Sequence, residues 1–377
     1  LAADKILVLN KGQLVDTSQT HLEPQSAVIC KQPGRYMGWP TIDRTASGEL
    51  IVAFSGDREW HVCPYGKTQW IRSRDGGTTW SDPETITDSP IDDRDTGIHA
   101  LRSGALLVNW FTSLAFEDES HLTWMRKVHP RADEMFDSWK PLAARLTSQE
   151  RQLLGRWTRR SEDGGKTWEG WSPSHVGSPH GPTQLSDGRL LYVGRGTLDD
   201  KPILGASESI DDGRTWQLIW HKESTTAERP LCELHQAELP DGRIVAMIRY
   251  DIGPDHYLWQ MESEDGGHSW SSPRVTEIWG LPPHLLVLRD GRLLCTYGHR
   301  RVPYGQRACL SRDGGRTWDY EGEIIIRGDA PSDDLGYPAS IEMDDGSILT
   351  VYYQQEHAGE PPCLMTTRWM PPARAKS

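Results

Sequence analysis

Tyr337, Glu233 and Asp95 share a register: each stands nine residues before the glycine of a short turn, at Gly346, Gly242 and Gly104. The same position before three further turn glycines holds Trp39, Pro179 and Pro282. An interior column with Asp, Glu and Tyr in it is unusual, because ionisable groups are seldom buried without a partner or a purpose. A phenol titrates near pH ~10, so one that reacts at neutral pH needs a base beside it, and a carboxylate can serve. The plainer alternative is a Tyr–Glu hydrogen bond that fills a channel.

The elements that must position this column repeat. Six segments read as strand, glycine turn, strand, among them "TIDRTASGELIVAFS", "AELPDGRIVAMIR" and "SIEMDDGSILTVYY". Short runs around a D-G or S-G turn predict β-hairpins. Five of the six are followed by one eight-residue word: "SRDGGTTW" at 73, "SEDGGKTW" at 161, "SIDDGRTW" at 209, "SEDGGHSW" at 263 and "SRDGGRTW" at 311. The later words begin 48, 54 and 48 residues apart, and the first gap of 88 holds one period plus an insertion at roughly 115–155. A period near 50 fits one four-stranded propeller blade. The insertion has Leu142, Leu146, Leu153 and Leu154 at helical spacing and predicts a short helical excursion over one face. The N-terminal "KILVLN" is expected to pair with "CLMTTRW" and close the ring. The word itself reads as a fastener: Asp and Ser/Thr side chains bond turn backbone, the glycines take positive φ, and the Trp packs between blades.

Composition narrows the partners. A net charge of −13 argues against a nucleic-acid partner, though not against an anionic small substrate in a local arginine pocket. The 36 glycines and 25 prolines suit many turns, and the 17 tryptophans supply large core side chains. No apolar run is long enough to predict a membrane helix. The first residues show no charged-then-apolar signal pattern, which leaves the compartment open. Cys30, Cys63, Cys232, Cys295, Cys309 and Cys363 form no CxxC pair and read as free thiols. No HxH or HExxH spacing suggests a metal, and no cofactor is expected.

S-x-D-x-G-x-T-W resembles the Asp box of the sialidase (neuraminidase) superfamily. Five copies among six hairpins imply an all-β, six-bladed propeller of sialidase type over nearly the whole chain, as one catalytic domain. The resemblance implies a retaining hydrolase with Tyr337 as nucleophile and Glu233 as its base; sialidases are the glycosidases that use tyrosine. A neutral phenol avoids the repulsion a carboxylate would meet at an anomeric centre that already bears a carboxylate. Arg249, sixteen residues after Glu233, matches one of the family's carboxylate-binding arginines. Arg307 is the choice for a second, with Arg301 in reserve. The third normally lies in an R-I-P motif of the first blade; here the tripeptide is Gly38-Trp39-Pro40, and Arg35, Arg58 or Arg94 are its stand-ins. The general acid is sought in "GDREWHVCP", where His61 and Glu59 rank above Asp57, with Asp95 a further candidate. His180, His235, His284 and His299 suggest a polar pocket. The expected substrate is a sialylated or otherwise acidic glycan. Two other readings stay open: a lyase or exo-glycosidase acting on uronic-acid glycans, and a non-catalytic glycan-binding propeller.

Overall fold

The structure, a computed structural model, describes residues 7–10, 13–16, 24–225, 231–253 and 255–373. Six antiparallel sheets follow one another along the chain and form a six-bladed β-propeller. From inner to outer strand, the first blade runs Tyr36–Arg44, Leu50–Arg58, Lys67–Ser73, Glu84–Thr87, and the second Asp92–Ala100, Leu106–Ser113, Arg156–Ser161, Ser172–Pro173. The fourth runs Leu231–Glu238, Ile244–Tyr250, Tyr257–Ser263, Arg274–Trp279. In the third blade Pro179 and Pro182 break the inner strand into Val176–Gly177 and Thr183–Gln184, both pairing with Leu190–Leu198. Proline cannot donate to a ladder, which explains the break. All six turn glycines of the sequence pattern take positive φ, from 83° to 100°, so the register read from them holds.

Ring closure departs from expectation. The strand beside Cys363–Trp369 in the sixth blade is Gln25–Cys30, not the "KILVLN" segment. Gln25–Cys30 lies just ahead of the first blade's inner strand, so the chain reaches it over a short link. Leu7–Asn10 instead forms a hairpin with Gln13–Asp16 and adds to the fifth blade beside Ile324–Arg327; Lys5 and Ile6 lie outside the described residues.

The Asp boxes close on themselves. In each, the Asp Oδ1 accepts from the Ser hydroxyl at 2.8–2.9 Å and its Oδ2 from the Thr or Ser hydroxyl four residues on at 2.6 Å. Their tryptophans reach the preceding blade: Trp168 meets Trp70 edge-on at 5.9 Å, Trp216 Nε1 donates to Thr158 and Trp318 Nε1 to Gln260, each at 2.9 Å.

The insertion folds as α1 (Glu119–Val128), α2 (Ala132–Arg145) and the single turn Ser148–Arg151. Its buried side chains are Leu122, Met125, Met135, Phe136 and Trp139, packed on Val62, Cys63 and Ile91. Leu154, expected in the apolar stripe, is exposed. The six cysteines are unpaired.

Candidate active site

The inner column is built on bulges. Trp39, Asp95, Glu233 and Tyr337 have φ of 56°, 53°, 46° and 51°. Strand pairing slips at each of them: between Gly38 and Thr41, Arg94 and Gly97, Cys232 and Leu234, Gly336 and Ala339. A bulge breaks side-chain alternation and re-aims one residue; left-handed backbone in a non-glycine residue costs about 1–3 kcal/mol. Four such residues in one register concentrate strain at the centre of the ring. The other two members of the column are prolines, whose ring forbids positive φ.

The bulged side chains converge. Tyr337 Oη donates to Glu233 Oε1 at 2.7 Å across the channel from the sixth blade to the fourth. Arg249 Nη1 donates to Glu233 Oε2 at 2.5 Å and to the Tyr337 oxygen at 3.2 Å, while its Nη2 meets Asp251 at 3.1 Å. Burial pushes the Tyr337 phenol well above its usual range, Glu233 and Asp95 add to this, and Arg249 opposes. The phenol is therefore neutral at rest, with its proton already on the path to Glu233. Asp95 borders a cavity of about 600 Å³ together with Glu233. Burial pushes its carboxyl up to about 7, with Arg94 opposing and Glu233 adding.

The first-blade candidates separate. Arg58 is fully buried and spent: it forks onto Asp92 at 2.6 and 2.8 Å and donates to the Trp60, His61 and Asp93 carbonyls. Arg35 and Asp57 pair with each other at 3.2 Å, Lys67 holds Asp57 at 3.0 Å, and a separate cavity takes both. Glu59 accepts from Trp139 Nε1 at 2.8 Å, tying α2 to the blade. None of these four is brought to the Tyr337 pair. His61 sits edge-on to Trp39 at 5.0 Å, with Tyr36 Oη 3.3 Å from Nδ1 and Arg94 3.4 Å from Nε2. Burial and then the Arg94 charge hold it well below the usual histidine range, so near neutrality it is the neutral imidazole, a poor proton donor. Arg94 lies over the Trp39 ring at 4.7 Å; Arg58 lies over the same ring at 5.0 Å, but its guanidinium is already forked onto Asp92.

At Gly38 a side chain would press on Tyr36. A Cβ there would lie 3.0 Å from the Tyr36 ring. Tyr36 and Tyr353 both donate to Asp334, at 2.9 and 3.2 Å, and Arg300 Nη2 donates to Tyr353 at 3.2 Å. The space is filled by an aromatic network anchored on an acid.

In the fifth blade the sequence points to the wrong part of "GHRRVPYGQR". Arg307 lies mid-strand in Gly305–Ser311, its guanidinium held by Glu323, and is not brought to Tyr337. Arg300, which sequence reasoning missed, borders a cavity with Arg249 and Asp251. Its signal was available: it follows directly on the second strand, Leu293–His299, as Arg249 stands near the end of the fourth blade's second strand. Arg301 borders the same cavity and lies over Trp279 at 3.7 Å.

His180, His235 and His284 cluster. His235 and His284 stack at 4.3 Å, and His180 meets them edge-on at 5.5 and 5.1 Å, its ring 6.4 Å from that of Tyr337. His235 Nδ1 accepts from the Leu285 N–H at 2.9 Å, which fixes its neutral tautomer. Burial pushes all three well below the usual range. His299 bonds the Pro303 carbonyl instead. Among the described residues the group of three metal-type side chains close enough to share an ion is Glu356, His357 and Glu360, at the surface, where Lys31 already bonds both carboxylates.

A family model for the BNR repeat-like domain matches residues 149–350. The chain belongs to that family. Among solved structures, this BNR repeat-like protein is similar to a protein of unknown function from Dyadobacter fermentans DSM 18053, at 23% identity and TM-score 0.71, covering 91% of this chain and 97% of that one. The NanB sialidase from Streptococcus pneumoniae is 14% identical with TM-score 0.66, over 95% and 73% of the two chains. An α-L-arabinanase from Penicillium chrysogenum, complexed with arabinobiose, is 14% identical with TM-score 0.59, over 92% and 97%. No curated protein matches. These likenesses establish the sialidase-type six-bladed fold of this BNR repeat-like protein. They do not choose between a sialidase and an arabinanase, a choice that falls to the site.

Proposed function

We propose that this protein is a retaining exo-glycoside hydrolase that releases a terminal sialic acid or a related sugar acid from a glycan. The observation that carries the reading is the 2.7 Å hydrogen bond from Tyr337 to Glu233, with Arg249 touching both. Tyr337 Oη attacks the anomeric carbon as Glu233 takes its proton. Asp95, still protonated up to about pH 7, gives its proton to the departing glycosidic oxygen. It then takes a proton from water, which displaces the tyrosyl oxygen, and Tyr337 recovers its proton from Glu233. Arg249 and Arg300 receive the substrate carboxylate. Asp95 takes the acid role here because His61 is held neutral while Glu59 and Asp57 are bound elsewhere.

β-Elimination on a uronate would need a base facing a ring C–H, and the three histidines face one another. The test uses an aryl sialoside and an aryl glucuronide, with products followed for ring unsaturation. Free sugar acid of retained configuration, without an absorbing double bond, supports hydrolysis. A fluorinated sugar acid that leaves its mass on the Tyr337 peptide identifies the nucleophile. An unsaturated product, or label on another residue, overturns the assignment.

A further inference from the structure

Most of the buried arginines are held closely by a carboxylate; Arg94, whose carboxylate is Asp92 at 4.0 Å, is the exception. Arg58, Arg160, Arg243, Arg249, Arg292 and Arg307 each have a carboxylate within 2.7 Å or less. Charged side chains drawn out of water need such partners. Arg156 and Arg195, both half-buried, have no carboxylate and no hydrogen-bond acceptor among the described residues, and both line the 600 Å³ cavity that Asp95 and Glu233 border.

Their placement is specific. Arg195 stands seven residues after the turn Gly188, as Arg249 stands seven after Gly242, so it is the third blade's counterpart of the arginine that touches the Tyr337–Glu233 pair. Arg156 comes from the neighbouring second blade, and its stem lies over Gly177, where a Cβ would fall 2.8 Å from Arg156 Cδ. Position 177 therefore keeps the arginine's path open. Both side chains line one cavity, and burial lowers the pKa of Arg156, with Tyr192 opposing and the Arg195 charge adding. Two like charges held together at a cavity wall without a counter-ion form a ready anion site, since a planar guanidinium forks onto carboxylate, sulfate and phosphate alike.

We infer that Arg156 and Arg195 bind a second anionic group of the substrate, on the side of the reacting centre away from Arg249 and Arg300. This rests on the glycosidase reading for the place of the sugar and adds its substrate class: a sugar acid with two negative charges. The second charge has two chemical sources, an anionic ester on the same sugar or the carboxylate of an adjacent sugar acid.

The test is calorimetric binding to the Tyr337→Phe protein, so that turnover does not intervene. Three probes are compared: the methyl glycoside of N-acetylneuraminic acid, its sulfate ester on the glycerol chain, and the disaccharide of two N-acetylneuraminic acid residues. At least one doubly charged probe is expected to bind on the order of ten-fold tighter than the singly charged one. That ratio is expected to fall toward one in Arg195→Gln and Arg156→Gln, and to recover in part in Arg195→Lys. Preference for the sulfate ester assigns the charge to the same sugar; preference for the disaccharide assigns it to the neighbour. A ratio near one in the parent protein, or a preference that survives both glutamine variants, overturns the inference. Arginine-dependent preference in a protein whose Tyr337 form turns over none of the probes sinks the hydrolase reading and leaves the anion site standing. Turnover without preference does the reverse.

Discussion

Two features of this protein recur with its blades: the Asp boxes on the outer turns and the bulged column on the inner strands. The boxes repeat in residue type. Each satisfies its own aspartate with hydroxyl and backbone donors, and Asp75 and Asp163 are thereby held down to about 2. The column repeats in position but not in type, and four of its six members, Trp39, Asp95, Glu233 and Tyr337, share left-handed φ. Sameness with every bond made marks fastening. Difference in one strained register marks a place where the fold has been given work, since strain persists only where the surroundings over-determine it. The sequence already reads the boxes as fasteners, and the closed hydrogen bonds within each box agree with that reading.

The sharpest way to break the contrast is to remove one atom from the column. Tyr337→Phe deletes the phenolic oxygen and the 2.7 Å bond to Glu233. Hydrolysis of an aryl sialoside is expected to fall on the order of 10³-fold or more, with circular dichroism and Tm close to the parent. Retained activity would end the nucleophile assignment.

Asp95→Asn tests the acid and the strain together. Asp95 is expected to give the alkaline limb of the kcat/KM profile, with activity lost as pH rises through about 7. The asparagine variant is expected to lose on the order of 10²-fold in kcat with poor leaving groups and far less with an activated aryl leaving group. The same substitution is expected to raise stability at alkaline pH. The folded carboxyl binds its proton more tightly than the unfolded one, near ~3.9. Its contribution is therefore fully present below about pH 4 and lost as pH rises through about 7. At pH 8 the neutral amide is expected to be more stable than the parent, by at most about 4 kcal/mol, the 1.36 kcal/mol per pH unit taken across that gap. Asparagine also tolerates left-handed backbone well. A thermal melt at pH 5 and pH 8 reads it; a variant less stable at both would show that Asp95 is a fastener after all.

How far the sequence could lead follows from which constraints are local. The column was legible because a turn glycine and a strand length fix a register, and Tyr337, Glu233 and Arg249 meet as that register requires. Blade count and the Trp contacts were legible for the same reason. The bulges were not, because left-handed backbone in Trp39 or Glu233 reflects neighbours packed from other blades. Arg58 read as a substrate ligand because its partner Asp92 lies 34 residues away in the next blade. Arg307 was chosen, with Arg301 in reserve, and Arg300 was missed, because the end of a strand, where alternation stops, is where residue counting loses its phase. The N-terminal strand was placed by the need to close the ring, whereas the strand that closes it, Gln25–Cys30, is the one next to the first inner strand in sequence.

On the rim, Asp163→Ala removes the hub of one box. Tm at pH 7 is expected to drop by several degrees while kcat measured well below the transition stays near parent. The sign of the pH dependence is opposite to that of Asp95. Asp163 is held down to about 2 by the Thr167 hydroxyl and amide, so its contribution is present above about pH 4 and fades as pH falls through about 2. A box variant that kept its Tm and lost turnover would put chemistry back in the repeated word.

The smallest expected effect tests whether the insertion belongs with the rim or the column. Trp139 is fully buried in α2, and its Nε1 donates to Glu59, two residues before His61. Trp124 of α1 meets His61 edge-on at 5.4 Å, and His61 in turn meets Trp39. A path of contacts thus runs from the insertion to the first member of the column. Trp139→Phe removes one hydrogen bond and leaves Glu59 able to reach water, a loss of about 1 kcal/mol in Tm-derived stability. If the insertion is decoration, kcat/KM stays level. If it steadies the roof of the channel, KM for a glycan substrate rises a few-fold while kcat on a small aryl sialoside holds, because the reacting groups sit on the blades and only the cover has loosened.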